Sequence, residues 1–485
     1  MRKASIIMLL ILIGVFGTVI ISQWEAFQEE GRETVQKRER KPSITISVET
    51  EKDGLLVKQE VRGLETGKVY RFDYPKMAKE VSCSGKDGRP CERLANYPSS
   101  FQIPKKGIIF SYRMAVQEEL TSSMFDQWIV QIPDAKEWDI AINVTDKHHA
   151  GGSWAAGIPF KGDKQLDLID YHAFKGENLY PALYWQKNEL KNEKVQRGIE
   201  VYSVKGKRES AYDFSAIRSL SENGYISVVL GRGTGEKSGS GLIVSEDGIL
   251  PKILEERVAT ALITQKIPSL SADERWLIEV LASLYTNQKP NSARAQAVLA
   301  ELRRKMSEDQ LKAFAASFSK ENDSVSHQRL DELLSMATGK ETRFLFLNKS
   351  SNTPFTPLTF FETRTMIVDG KKEGIIMILE NGSAPLLPAK EIFSGLGFDV
   401  EVKHTQAGST ILLQKDKESY QFFENRSIFL HNGEEYGLLD RPFTVHSGKL
   451  FMEPEKIQSI FNVTITGNGE EIRLSHTDGT FKEDK

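Results

Sequence analysis

Through the first half of the chain, apolar and polar positions alternate with a period of two. Ser43-Ile44-Thr45-Ile46-Ser47-Val48 is the clearest run. Ile108–Tyr112, Trp128–Ile132, Ile140–Val144 and Ile226–Leu230 are further short β-rich stretches. Side chains two apart on a strand share a face, so the pattern predicts half-buried strands. Glu51–Gly54 and Gly63–Gly67 supply turn residues between them. An antiparallel sandwich or layered β domain is expected over residues 43–250. Gly231–Gly241 is Gly-rich, but it fits neither a phosphate loop nor a dinucleotide fingerprint, and reads as a flexible strand-to-strand turn.

From residue 251 the period changes. Trp276, Leu277, Val280, Leu281, Leu284 and Tyr285 recur at helical spacing, and Val298, Leu299 and Leu302 continue it. Ser307-Glu308-Asp309-Gln310 is a capping box ahead of Leu311, Phe314, Ala315 and Phe318. Leu330, Leu333, Leu334 and Met336 mark a last helix. A helical domain of about four helices is expected over 251–347, given these segments. A linker over 348–362 follows, then short strands alternating with short helices over 363–476, and a disordered tail over 477–485. Two segments of this last region repeat one pattern: Asn381–Val400 and His446–Ile465 each read as turn, short apolar strand, Pro-led helix, strand.

The N-terminus has its own pattern. Met1-Arg2-Lys3 precedes a charge-free apolar run, Ala4–Ser22. As a helix this run spans about 28 Å, near the hydrocarbon thickness of a bilayer. No small-x-small cleavage site closes it, so residues 1–22 are expected to be an uncleaved signal anchor, with secretion after cleavage as the alternative. Residues 23–42 form a linker dense in both charge signs. The rest is placed outside the cell membrane, single-pass, with the body extracytoplasmic.

Composition narrows the chemistry. The 485 residues carry 64 Lys+Arg and 67 Asp+Glu, a net charge of −3, which argues against a nucleic-acid partner. Two Cys exclude Cys-rich zinc modules and iron–sulfur clusters. Cys83 and Cys91 bracket Ser-Gly-Lys-Asp-Gly-Arg-Pro, a turn, and an oxidising exterior favours one small disulfide loop between them. No cofactor is expected; nothing indicates a nucleotide, flavin or haem.

The C-terminal region resembles the bacterial stalk domain named after the N-terminal domain of copper amine oxidases. Leu386-Leu387-Pro388-Ala389-Lys390-Glu391-Ile392-Phe393 with Leu396-Gly397 carries the first copy, and Phe451-Met452-Glu453-Pro454 with Ile457–Phe461 the second, which lacks the Leu-Gly ending. The resemblance implies an α+β stalk for spacing, or for contacts with the cell wall or other proteins, with no copper site. The oxidase needs a Tyr in a Thr-x-x-Asn-Tyr context; Asn96-Tyr97 lacks that Thr.

Trp276-Leu277-Ile278-Glu279-Val280-Leu281-Ala282-Ser283-Leu284-Tyr285 resembles the second zinc-binding helix of gluzincin (aminopeptidase-type) metallopeptidases, with Glu279 at the zinc-ligand position. That clan needs His-Glu-x-x-His upstream: two His one helical turn apart grip the metal and the Glu polarises water. At the spacing of one large branch, eighteen residues between the second His and the third ligand, the window is Glu256-Arg257-Val258-Ala259-Thr260. Glu256 and Thr260 stand where the His ligands belong, and Arg257 where the Glu belongs. None of the eight His lies between residues 173 and 326. The resemblance therefore implies a degenerate peptidase with vestigial metal-site positions Glu256, Arg257, Thr260 and Glu279, no catalytic residue and no metal.

The expected fold is a multidomain α+β chain: transmembrane helix, β-rich domain, helical domain, and stalk with two internal repeats. The expected function is a membrane-anchored envelope protein, a pseudoenzyme binding a peptide, a protein or a cell-wall polymer. One alternative is an active hydrolase with an unrecognised site, for which Glu256, Glu279, His148, His149 and His172 are candidates. Another is a structural spacer or assembly partner.

Overall fold

The computed structural model describes residues 42–476, apart from 95–96, 105–106, 117–120, 134–138, 149–150, 178–179, 205–211, 323, 382–383, 407 and 447. The apolar run Ala4–Ser22 and the charged stretch after it lie outside the described residues. Among the described residues no helix is long and apolar enough to cross a membrane. The chain is a strand-rich α+β protein that divides into two compact units: 1–193 with 200–207 and 227–247, and 194–199 with 208–226 and 248–485.

In the first unit a seven-stranded sheet runs in the order Phe160–Gln165, Asp170–Gly176, Asp139–Asp146, Ser43–Glu51, Gly54–Arg62, Ile108–Ala115, Ala78–Gly85. Ser43–Glu51 buries every second residue, as its alternation predicts. Ile44, Ile46, Val48, Val57, Phe110 and Ile142 meet in the core. The sheet is not purely antiparallel: Ser43–Glu51 pairs in parallel with Asp139–Asp146. Parallel neighbours need a long crossover, which residues 52–138 provide, and a period of two is the same in either pairing. A five-stranded sheet, chiefly of this unit, contains a second parallel pair, Ile226–Gly231 with Leu242–Glu246.

Trp128, Ile129, Val130 and Ile132 are all buried, more than a half-buried strand would be, and the segment forms no strand beyond an isolated bridge of Gln131 to Asp73. Side chains distant in sequence take the place of much of the ladder around it. Gln59 donates its amide to the Val130 carbonyl and accepts the Val130 N–H, both at 2.8 Å. The Tyr112 hydroxyl donates to the Trp128 carbonyl at 3.0 Å, and the Tyr180 hydroxyl accepts the Ile132 N–H at 2.7 Å. Gln59 is fully buried. Gln59→Leu strands one buried donor and one buried acceptor, so a loss of about 2–3 kcal/mol is expected, measured by chemical denaturation.

The Gly-rich segment between Ile226–Gly231 and Lys237–Gly239 is an anchored turn. The Glu246 carboxylate accepts the N–H groups of Gly233 at 3.1 Å and Gly235 at 3.0 Å. Both glycines have positive φ, the region that side-chain-bearing residues avoid.

The second unit begins with helices α1 (Arg218–Glu222), α2 (Pro251–Lys266), α3 (Trp276–Thr286), α4 (Ala293–Lys305), α5 (Glu308–Lys320), α6 (His327–Thr338) and α7 (Phe344–Leu347). Pro251 at the first turn opens α2, and the Ser307–Gln310 capping box opens α5 as predicted. On α6, Leu330, Leu333 and Leu334 are buried, but Met336 is 69% exposed. At about 100° per residue it stands roughly 140° from the middle of the stripe made by the buried Leu330, Asp331, Leu333 and Leu334.

Residues 348–358 are strapped across the helices. The buried Asn348 side chain bonds the Phe344 and Thr356 carbonyls. Arg294 of α4 donates to Asn348 at 2.9 Å, and the Trp276 indole donates to the Lys349 carbonyl at 3.0 Å.

The C-terminal region holds α8 (Ala389–Gly395) and α9 (Pro454–Phe461) against a seven-stranded and a five-stranded sheet. Both repeated segments fold as strand, helix, strand: Ala384–Pro388, α8, Asp399–Thr405, and Lys449–Met452, α9, Val463–Gly467. The leading strands pair antiparallel through Leu387↔Met452. Leu387, Ile392, Phe393, Met452 and Ile457 share one core, so each repeat buries the other's apolar face.

Candidate functional site

Helices α2 and α3 carry the residues singled out from the sequence, and the two pack side by side. Leu254, Val258, Leu262 and Ile263 of α2 and Leu277, Val280 and Leu281 of α3 are buried. Glu256, Arg257 and Thr260 are half-buried on α2, and Glu279 is half-buried on α3. The structure brings Glu256 and Glu279 close enough to interact: burial, then repulsion from Glu279, pushes the Glu256 carboxyl above its ordinary range.

Glu279 has a defined task. Its Oε2 accepts the N–H groups of Asn291 and Ser292, both at 2.8 Å. Ser292 is the N-cap of α4, and its hydroxyl accepts the Ala295 N–H at 3.4 Å. The first N–H groups of a helix lack internal partners and carry partial positive charge. A carboxylate from α3 and the cap hydroxyl together serve this helix start. Asn291 and Ser292 were not candidates from the sequence; the Ser-before-helix pattern was visible, but not the α3 carboxylate reaching it.

Neighbouring ionisable groups are also held in place by the fold. Glu255 is buried on α2 and pairs with Lys252 at 3.3 Å. The buried Lys266 ammonium donates to the Ser319 carbonyl at 3.1 Å and to the Glu321 carbonyl, closing the end of α5. Burial lowers its pKa, against the pull of Glu321.

The His candidates lie in the other unit. His148 is exposed, past the end of strand Asp139–Asp146, and His149 is outside the described residues. His172 is buried on Asp170–Gly176, and its Nε2 has no hydrogen-bond partner among the described residues. Burial lowers its pKa, against Asp163, Asp146 and Asp170. Asp146 already accepts the Thr50 hydroxyl at 2.9 Å and the Trp154 indole at 2.8 Å.

The side chains at the positions that the metallopeptidase resemblance assigns are poor zinc ligands. Arg257 brings a permanent cation to the window, Thr260 offers only a weak hydroxyl ligand, no His stands at either position, and one of the two Glu279 oxygens, Oε2, already accepts two N–H groups. Among the described residues, no three His, Cys, Asp or Glu side chains converge in a way that could hold a metal.

Cys83 and Cys91 are joined by a disulfide, as the sequence suggested, with Cα atoms 5.4 Å apart. The Cys91 N–H also donates to the Cys83 carbonyl at 3.1 Å. Loop closure of this size limits the unfolded chain by about 2.5 kcal/mol. Cys83→Ser with Cys91→Ser is expected to lower the first unit's melting temperature by several degrees in calorimetry, roughly as that energy implies.

No family model matches the chain, and no curated protein matches it. Among solved structures it is similar to an M1 zinc metallopeptidase from Deinococcus radiodurans, at 14% identity and TM-score 0.47, covering 66% of this chain and 96% of that one. A mutant of the same enzyme bound to a Tyr-Ser-Ala substrate gives 14% identity and TM-score 0.46, with the same coverage. A two-domain M1 zinc metallopeptidase mutant bound to L-arginine gives 13% identity and TM-score 0.43, covering 61% of this chain and 90% of that one.

Proposed function

We propose that this protein is a non-catalytic, membrane-anchored component of the extracytoplasmic envelope. Its helical core is a peptidase-like scaffold without a zinc centre, and its C-terminal region is a stalk for contacts with proteins or cell-wall polymer. One observation carries the reading: Glu279, at the position of a metal-binding carboxylate, instead binds the N–H groups that open α4. The replacements at Glu256, Arg257 and Thr260 support it, because a hydrolytic zinc site needs a metal-bound water and a base beside it. The test is peptide hydrolysis by the full-length protein, assayed with and without added zinc against a panel of aminoacyl and oligopeptide substrates. No turnover above the Glu279→Gln variant is expected. Zinc-dependent turnover lost in Glu279→Gln would overturn the reading. Protease accessibility of the body in intact cells tests its placement outside the membrane.

A further inference from the structure

On many strands of this protein a carboxylate is paired with a cation two residues away. Glu60–Arg62, Lys191–Glu193, Glu362–Arg364, Glu401–Lys403 and Glu471–Arg473 are such pairs. The spacing follows from strand geometry, since residues i and i+2 share a face. The strand Glu434–Gly437, like Ile199–Val204 with Glu200 and Tyr202 and Glu418–Phe423 with Glu418 and Tyr420, puts a Tyr where those strands put the cation. Two residues after Glu434 stands Tyr436, whose hydroxyl donates to the carboxylate at 3.3 Å, and two after Glu435 stands Gly437. Among the described residues, neither carboxylate has an ion-pair partner.

This strand is also the open edge of its sheet, beyond Ile428–His431. Asn432 and Gly433, both with positive φ, close a tight two-residue hairpin. In an antiparallel ladder, opposite residues alternate between hydrogen-bonded and non-bonded pairs. His431↔Glu434 flanks the turn, and the Leu438 N–H donates to the Ser427 carbonyl at 2.8 Å. That register turns the N–H and C=O of Glu435 and Gly437 to the open side. On the face of Glu434, a row of stacked rings reaches the same edge: Phe422–Phe429 and Phe429–Tyr436, each 5.3 Å between centroids. The row ends on Tyr436, 42% exposed.

We infer that the edge Glu434–Gly437 takes up an extended, lysine- or arginine-bearing segment of a partner protein as an added strand. The segment's backbone bonds Glu435 and Gly437, and a basic side chain lies over Tyr436 beside Glu434, supplying a cation that this open edge lacks. A second copy of this chain is the wrong occupant, because it would oppose acidic edge to acidic edge. The inference names a partner chemistry for the C-terminal region and stands whether or not the helical core binds zinc.

The probe is a fluorescent ten-residue peptide of alternating Val and Lys, titrated into the full-length protein in detergent. Controls are its Val–Glu counterpart and a Val–Lys peptide with Pro at alternate Val positions. The Val–Lys peptide is expected to bind, the Val–Glu peptide not to, and the Pro-bearing peptide to bind at least tenfold more weakly. Glu434→Lys with Glu435→Lys is expected to weaken Val–Lys binding at least tenfold. Glu435→Pro, which removes an outward N–H at a position where an edge strand accepts Pro, is expected to weaken it more than Glu435→Gln. Equal binding of the Pro-bearing peptide, unchanged binding by the charge-reversed variant, or absence of Val–Lys binding overturns the inference. Zinc content is measured on the same samples, so failure here is separable from failure of the non-catalytic reading.

Discussion

Glu279→Ala is expected to raise the opening rate of the α4 N-terminus and lower local stability by about 3 kcal/mol. The substitution leaves the N–H groups of Asn291 and Ser292 without the carboxylate that accepts both. Charge-assisted bonds to a helix start are stronger than neutral ones, and the site is half-buried, so solvent replaces them only in part. Glu279→Gln keeps an acceptor oxygen and is expected to lose about a third as much, through the missing charge. Hydrogen exchange of peptides spanning residues 288–300, read by mass spectrometry, measures both. If Glu279→Ala leaves the protection of that segment unchanged, the carboxylate does not hold α4.

Asp331 is expected to make the second unit less stable as pH rises from about 4 to about 7. It is buried on α6, and its two oxygens accept the Leu345 N–H at 2.8 Å and the Phe346 N–H at 2.9 Å, at the start of α7. Burial pushes its carboxyl up to about 7 from an ordinary 3.8, against those two bonds and the nearby Arg343. The folded state then holds a proton that the unfolded chain releases between these two values, so stability is greatest below the lower one. It declines by up to about 1.4 kcal/mol per pH unit and levels off above the upper one. Asp331→Asn is expected to remove this slope: about 1 kcal/mol less stable than wild type at pH 4, because one oxygen cannot replace both acceptors, and about 3 kcal/mol more stable at pH 8. Denaturant unfolding at a series of pH values, followed by the Trp276 signal, checks it. A wild-type slope of opposite sign would contradict the assignment.

Local signals carried much of the fold, and non-local ones carried the rest. The period of two marked Ser43–Glu51, and the capping box marked the start of α5, because each is fixed by neighbours in sequence. The two Pro-led repeats were legible for the same reason, with Pro388 at the N-cap of α8 and Pro454 opening α9. Trp128–Ile132 was apolar enough for a strand, yet its backbone partners include Gln59, Tyr112 and Tyr180, which no local pattern reveals. The parallel pairing of Ser43–Glu51 with Asp139–Asp146 was hidden because alternation is identical in both pairings.

The candidate site was legible as a pair of helices but not as a set of bonds. The resemblance to metallopeptidase helices put Glu256 and Glu279 on two helices of one site, and their carboxyls do interact. What Glu279 binds depends on a loop twelve residues further along the chain, where Asn291 and Ser292 turn their N–H groups toward α3. At the C-terminal edge, the missing i+2 cation after Glu434 and Glu435 was readable as letters, but it gained meaning only once the strand proved to be an open edge.

The central claim is that Glu279 belongs to a helix start and not to a metal. Zinc per chain, determined by elemental analysis of full-length protein purified without chelator, tests it most directly. The account predicts well under one zinc per chain, unchanged in Glu279→Gln; one zinc per chain that disappears in Glu279→Gln would contradict it.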